Sequence, residues 1–275
     1  MRIDFTKMHG LGNDFMVFDA PAGGLPSAEA LRRLAARHTG VGFDQALVLL
    51  PPGRPQASVY YRIFNADGIE VEQCGNGARC IAALLHRRGL APLGQTVVMD
   101  SLAGEVRARV HSPESVSVEM GVPNFNPRAL PFDAAADAPL HLLEVAGTRV
   151  EIAVVSIGNP HAVLTVDSLE SASVERLGPA IEHHPRFPNR VNVGFMQIID
   201  RGRIRLRVHE RGAGETLACG TGACAAVAVA RRRGLLDPEV AVEVRGGALR
   251  VNWEGEGPVW LTGPAQISFE GHVEL

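Results

Sequence analysis

CGNGARCIAALLHRRGL (residues 74–90) and CGTGACAAVAVARRRGL (residues 219–235) are the two stretches from which the fold is read. Each opens on a cysteine followed by Gly-x-Gly, runs through apolar residues, and closes on arginines and a glycine. That outline predicts a helix beginning just after each cysteine. Gly89 and Gly234 suit the position past a helix end. Arginines in the last turn meet the negative end of the helix dipole. The middle of the second stretch, ACAAVAVA (223–230), is apolar on every side, and such a helix is buried all round.

The two stretches are copies of one another. A shift of 145 positions carries residues 74–78 onto 219–223, Glu70 onto Glu215, Asn65 onto Glu210, and 87–90 onto 232–235. GND (12–14) meets GNP (158–160) at a shift of 146, and Gln45 meets Asn192 at 147. So long a period is not that of a solenoid, and it reads as two copies of one domain. The matched positions are Asn, Gln, Glu, Cys and Gly. A duplication kept only for stability would match in its apolar pattern, so the matched polar residues point to a shared site.

Around the two helices lie many short segments with period-two alternation, rich in Val and Ile and broken by Gly, Pro, Asp and Asn. Among them are QALVLLP (45–51), VYYRIFN (59–65), RVEIAVVSIG (149–158), HAVLTV (161–166), NVGFMQII (192–199) and RIRLRVHE (203–210). One further helix is expected over 27–38, with Ser27 as its N-cap. The expected fold class is therefore α/β (α+β): two pseudo-symmetric domains, each a curved mixed β-sheet wrapped around a central helix. The expected boundaries are 1–117 with 263–275 for the domain carrying Cys74, and 118–262 for the domain carrying Cys219.

Composition narrows the chemistry. The net charge of −3 gives no footprint for nucleic acid. No apolar run reaches the roughly 18 residues of a membrane span. The N-terminal MRIDFTKMHGLGNDF has charges and no apolar core, so no secretory signal is expected. The four cysteines, Cys74, Cys80, Cys219 and Cys224, read as thiols of a reducing compartment. Their spacings are not the C-x₂-C pairs of a zinc site. Cys80 and Cys224, inside the helices, read as small buried hydrophobes. Lys7 is the only lysine, and its surroundings offer no context for a pyridoxal Schiff base. The G-x-G stretches lack the βαβ unit and the following acidic residue of a dinucleotide fingerprint.

Cys74 and Cys219 stand where helix-start amides and the dipole favour a thiolate. The same ends can bind a carboxylate. One carboxylate gripped by both would have a thiol on each face of its α-carbon. Inverting that carbon needs a base on one face and an acid on the other. A thiolate and a thiol have the same intrinsic pKa and exchange roles on each turnover. A held geometry and desolvation must then supply most of the rate.

MHGLGNDF, GFDQ, YRIFNADGIEVEQCGNGARC, SIGNPHAVL, RVNVGFMQI and ERGAGETLACGTGACAAVAVA, in this order from residue 8 to residue 230, resemble the diaminopimelate epimerase family, as does the closing TGPAQISFEGHVEL. The resemblance implies that family's fold, with substrate in the cleft between the two domains. It implies conversion of LL-diaminopimelate to the meso isomer without pyridoxal phosphate or metal, in lysine and peptidoglycan precursor synthesis. It also implies a cytoplasmic homodimer. Cys74 and Cys219 match the catalytic pair, and His161 and Glu210 match groups that assist proton transfer at the thiols. Gly75, Asn76, Gly220 and Thr221 match the helix-start groups that hold the reacting carboxylate. Asn65 and Glu210 match residues near the reacting amine. Asn13, Asn159, Asn192 and Arg211 match the clamp on the distal carboxylate and amine, and Gln45 a further polar contact.

Taken singly, most of these have plainer readings. Gly-Asn in a loop is ordinary turn chemistry, and Glu210–Arg211 could be a surface pair worth under about 1 kcal/mol. A proline or hydroxyproline racemase-like enzyme would share the scaffold and the two cysteines. Against it, a small cyclic substrate offers nothing for a distal clamp to hold. A thiol redox protein or a metal-binding module is the alternative from outside enzymology.

Overall fold

The computed structural model describes residues 2–72, 74–112, 114–134 and 136–275. The chain forms two compact units, Met1–Val118 with Thr262–Leu275, and Glu119–Leu261. Among the described residues there are eighteen strands and four α-helices, a mixed α/β fold made mostly of strands.

In the first unit, β1 (Arg2–Gly10) and β2 (Asn13–Asp19) form a hairpin. Its two-residue turn, Leu11-Gly12, has both φ angles positive. That is the turn geometry whose twist matches the strands it joins. α1 (Ala28–Ala35) leads to β3 (Gln45–Leu50), parallel to β2. β4 (Tyr60–Asn65) runs antiparallel to β3 and is followed by the short β5 (Glu70–Val71) against it. α2 (Gly75–Arg87) comes next, then β6 (Thr96–Ser101), β7 (Gly104–Ser112) and β8 (Ser115–Glu119) as an antiparallel meander. β6 joins β4 in parallel.

The second unit repeats that plan. β9 (His141–Val145) flanks β10 (Thr148–Ser156), and β10 and β11 (Pro160–Thr165) are antiparallel. α3 (Val174–Glu182) leads to β12 (Asn192–Asp200), parallel to β11. β13 (Arg203–Glu210) is antiparallel to β12, and the short β14 (Gly214–Glu215) folds back on β13. α4 (Gly220–Arg232) follows. β15 (Glu239–Val244) then joins β13 in parallel and pairs with β16 (Gly247–Asn252). β17 (Trp260–Gly263) precedes β18 (Gln266–Glu274), which returns to the first unit along β1.

The same order of parallel and antiparallel pairings thus occurs twice. In each unit the sheet curves round one helix. α2 touches β1, β2 and β7, and α4 touches β10, β11, β12, β13 and β16. Every residue of α4 from Gly222 to Ala230 is buried, as its all-round apolar sequence requires. The outer helices α1 and α3 cover the other face of each sheet. Leu31 and Leu34 pack with Phe18, Phe43 and Phe64, and Val174, Leu177 and Ile181 with Leu164 and Phe195.

The structure differs from the sequence reading in two places. The first helix stops at Ala35 rather than His38, and Ala36 is already extended. α3 was not expected, because Gly178-Pro179 inside it reads as a breaker. Packing overrides that signal. A Cβ on Gly178 would lie 2.8 Å from the His209 ring, so the glycine is what lets α3 sit on β13.

One ion pair recurs with the repeat. Arg62 on β4 makes a bidentate fork to Glu70 on β5, at 2.7 and 2.6 Å. Arg207 on β13 does the same to Glu215 on β14, at 2.7 and 2.8 Å. Each fork ties the strand that ends on Asn65 or Glu210 to the short strand four residues before a cysteine.

A second charged knot lies at the start of β2. Asp14 accepts from Lys7 and from Arg37, and Lys7 also donates to the carbonyl of Gly42. Burial pushes the Asp14 carboxyl up, but the bonds and charges of Arg37 and Lys7 outweigh it and hold the group well below the usual carboxylate range. A depressed folded-state pKa contributes stability above the unfolded value and loses it as pH falls through the folded one. The contribution should therefore be complete at neutral pH and decline below about pH 4. Asp14→Asn should cost about 2 kcal/mol at pH 7, less than a fully buried pair because Arg37 is exposed. The deficit should shrink at pH 3, as measured by urea unfolding at the two pH values. An equal deficit at both would contradict the ion-pair account.

Candidate active site

The topology brings the predicted residues of each unit to one sheet edge. β2 and β3 are parallel, so their starts, Asn13 and Gln45, lie at the same end. β4 is antiparallel to β3, so its last residue, Asn65, lies there too, opposite Gln45. α2 also starts at this edge, with Cys74 as N-cap. In the second unit the same logic gathers Asn159 and His161 at the start of β11, Asn192 at the start of β12, and Glu210 at the end of β13. Cys219 is the N-cap of α4.

In the first unit Cys74 Sγ accepts from the amide of Gly77, 3.4 Å away. The sulfur takes the role that a Ser or Asp oxygen plays in an ordinary N-cap. It lies 3.8 Å from Asn13 Oδ1, which also accepts from Asn76 Nδ2 at 3.2 Å. Gln45 Nε2 donates to Asn65 Oδ1 at 2.9 Å, leaving Gln45 Oε1 buried without a partner. Gly75 and Asn76 form the first turn of α2.

In the second unit Cys219 Sγ lies 3.6 Å from Thr221 Oγ1. Thr221 accepts from Asn159 Nδ2 at 3.3 Å, and Asn159 Oδ1 pairs with His161 Nε2 at 2.9 Å. An amide oxygen only accepts, so His161 carries its proton on Nε2, and Nδ1 is left buried without a partner. Burial and the nearby Arg211 push the imidazole down to about 3, so the ring is neutral at pH 7. Asn192 Nδ2 donates to the carbonyl of Pro160, and its Oδ1 accepts from the amide of Arg211. Arg211 is exposed in the turn after β13, one guanidinium nitrogen resting on the carbonyl of Asn189. Glu210 accepts from Thr216 Oγ1 at 2.6 Å. Gly220 opens α4 beside Thr221.

The two thiols do not share one environment. Cys74 is half-buried and Cys219 buried. Helix-end amides alone would lower both. For Cys219 burial wins: desolvation raises the thiol well above its ordinary value, and the charge of Glu210 adds to the rise. The Thr221 hydroxyl and the Gly222 amide act the other way. A deprotonation of Cys219 therefore needs an acceptor, and Glu210 is the carboxylate at hand. Cys80, fully buried in α2, is pushed up to about 12 by desolvation and is inert.

The Gly-x-Gly of each helix start has a packing cause. A Cβ on Gly77 would meet Leu47 at 3.1 Å, and one on Gly222 would meet Val208 at 2.9 Å. Among the described residues no group of three or more His, Cys, Asp or Glu is arranged to hold a metal ion. No described helix is long and apolar enough to cross a membrane. The lone lysine is committed to Asp14 and Gly42.

Several residues that shape the site were not singled out from sequence. Glu182 is buried at the end of α3, where it binds His209 Nε2 and the amide of Gly212. It thereby fixes the turn that presents Arg211. Asp44 binds the side chain of Asn13, and Arg79 binds that of Asn76. Arg79 did leave a signal: an arginine in the middle of an apolar helix must find a buried partner.

The family profile described as Diaminopimelate epimerase matches residues 5–126 and 153–268. A protein of Alkalilimnicola ehrlichii named diaminopimelate epimerase is 53% identical over 278 residues, covering 100% of both chains. One of Ectopseudomonas mendocina with the same name is 51% identical over 282 residues, again covering 100% of both. Among solved structures, a hydroxyproline epimerase from Agrobacterium vitis superposes with TM-score 0.70 at 19% identity, covering 100% of this chain and 93% of that one. A phenazine biosynthesis protein of the PhzF family from Bacillus anthracis does so with TM-score 0.68 at 16% identity, covering 100% of both. These structures share the fold, while the match in sequence is to one family along the whole chain: this protein belongs to the diaminopimelate epimerase family.

Proposed function

We propose that this protein is a diaminopimelate epimerase that converts the LL isomer to the meso isomer by proton transfer between Cys74 and Cys219. The observation that carries the reading is the duplication of one arrangement. Each unit has a cysteine as helix N-cap, with a side-chain oxygen of the site within 4 Å of its sulfur.

The substrate α-carboxylate is held by the free amides at both helix starts, Gly75-Asn76 and Gly220-Thr221, where backbone donors and the dipole favour an anion. One thiol serves each face of the reacting carbon. One thiolate removes the α-proton, and the opposite thiol delivers its own proton to the other face. The carbanion's charge is spread into the carboxylate that those amides hold. The enzyme is left with its thiol and thiolate exchanged. Glu210 accepts and returns a proton at Cys219, and the neutral His161 orients Asn159 and Thr221 beside that thiol. Asn65 and Glu210 bind the reacting amine, and Asn13, Asn159, Asn192, Gln45 and Arg211 bind the rest of the substrate. Binding energy from the distal amino-acid group helps to order the reacting end. No pyridoxal phosphate or metal takes part. The enzyme works as a cytoplasmic homodimer, supplying lysine and peptidoglycan precursors.

The proline-type racemases share the fold, but a proline has no second carboxylate for Arg211 to hold. Competition between the two substrates separates the readings.

Cys74→Ala and Cys219→Ala should each lower turnover of LL-diaminopimelate by roughly a thousandfold or more while leaving the unfolding transition in place. Near-wild-type turnover in either would remove that cysteine from the mechanism. Arg211→Lys should raise KM for the same substrate roughly tenfold, since an ammonium cannot reproduce the guanidinium fork. An unchanged KM would count against the distal clamp.

A further inference from the structure

Asn13, beside Cys74, is one link of a hydrogen-bond chain with a fixed direction. At one end is Arg79, fully buried in α2, where it passes Gly10 so closely that a Cβ there would lie 3.1 Å from Nη2. Arg79 Nη2 donates to Asn76 Oδ1 at 2.8 Å, and Nε to the carbonyl of Pro264 at 3.3 Å. A guanidinium only donates, so Asn76 must turn its oxygen to Arg79 and its Nδ2 away. That Nδ2 donates to Asn13 Oδ1. At the other end is Asp44. Its Oδ2 accepts from Asn13 Nδ2 at 3.0 Å and from the amide of Asp14 at 3.1 Å, and its Oδ1 accepts from Arg37 at 2.6 Å. A carboxylate only accepts, so Asn13 must turn its NH₂ to Asp44. Both ends therefore force the same result: Asn13 presents its oxygen to Cys74.

Among the described residues of the second unit Arg79 and Asp44 have no charged counterpart, and it is His161 Nε2, donating to Asn159 Oδ1, that sets the direction of the amide. At the repeat shifts used above, Cys224 stands for Arg79 and Val191 for Asp44, both buried. There the direction is reversed, with Asn159 Nδ2 donating to Thr221, the counterpart of Asn76. The Thr221 hydroxyl, having accepted that bond, keeps its proton for Cys219.

We propose that Arg79 and Asp44 are positioning residues for Cys74. By fixing the polarity of the Asn76–Asn13 pair, they hold Cys74 as a hydrogen-bond donor, the protonated thiol, in the resting enzyme. The two halves of the duplication have diverged so that Cys74 faces an amide oxygen, whereas Cys219 faces a hydroxyl as well as the Glu210 carboxylate. The inference rests on the reading of Cys74 as catalytic.

The test is the rate of alkylation of Cys74 by iodoacetamide in the full-length protein at fixed pH, read by peptide mass spectrometry. It is compared between wild type and Asp44→Asn, with Cys219 followed in the same digest. Arg37 draws the oxygen of the new amide towards itself, leaving the NH₂ to face Asn13, so that only the Arg79 end still fixes Asn13 and its flipped state, with NH₂ towards Cys74, becomes populated. The thiolate is no longer disfavoured, and Cys74 alkylation should rise roughly fivefold, the equivalent of one neutral hydrogen bond. Cys219 alkylation should not move. A rate for Cys74 equal to wild type, or a rise shared with Cys219, overturns the proposal. Arg79→Met reads the other end of the chain, with the same expected direction and the same contrary result, and serves if Asp44→Asn does not fold. Cys74→Ala is assayed beside them. Wild-type turnover in that variant would refute the catalytic reading, whatever the alkylation rates show.

Discussion

A buried helix has to begin somewhere, and its first amides have no partner within the helix. α2 and α4 are enclosed by their sheets, so those amides emerge at the sheet edge where each helix starts. In each unit the other residues of the site are arranged about that unit's own group of donors. The N-cap residue is the side chain nearest to them, and in both units it is a cysteine. A serine or aspartate there would cap the helix better. The thiol instead leaves amides available for a carboxylate and places a titratable group next to them. Stability is given up at the helix start, and the rest of each unit supplies it, through a mostly apolar, buried helix body and the outer helix packed on the opposite face of the sheet.

The duplication is kept where geometry must be kept and lost where chemistry differs. The Arg62–Glu70 and Arg207–Glu215 forks have the same spacing to their cysteines and nearly the same lengths. Those positions hold the short strand that delivers each thiol. By contrast, Asn65 is replaced by Glu210, Asn76 by Thr221 and Arg79 by Cys224. These are the positions that decide which groups donate and which accept around the sulfur. An epimerase acting on two mirror-related faces needs two similar scaffolds. The two thiols have different neighbours, Asn13 Oδ1 at Cys74 and the Thr221 hydroxyl at Cys219.

Much of this was legible in the sequence. The repeat located both helices, both cysteines and the edge residues, because polar residues kept at a constant offset have no core-packing explanation. The all-round apolar run of 223–230 announced a buried helix, and burial of every residue from Gly222 to Ala230 is what the structure shows. The sequence was silent where long-range packing decides. α3 forms across a Gly-Pro pair because the glycine fits under His209. The Arg62 and Arg207 partners of the two glutamates lie in strands whose alternation hides them among other arginines. The direction of the Asn13 amide depends on Asp44 and Arg79, which lie 31 and 66 positions away in the chain. The rise in Cys219 acidity that a helix start suggests is reversed by burial and by Glu210, a balance that spacing alone does not reveal.

The central claim is that both faces of one α-carbon are served by protonated and deprotonated forms of two thiols. Proton NMR of LL-diaminopimelate incubated with the reduced protein in D₂O tests it most directly. The account predicts loss of the α-proton signal as deuterium enters at that carbon, together with growth of the meso isomer. A folded, fully reduced sample that leaves the α-proton in place, or that forms the meso isomer without deuterium, would contradict it.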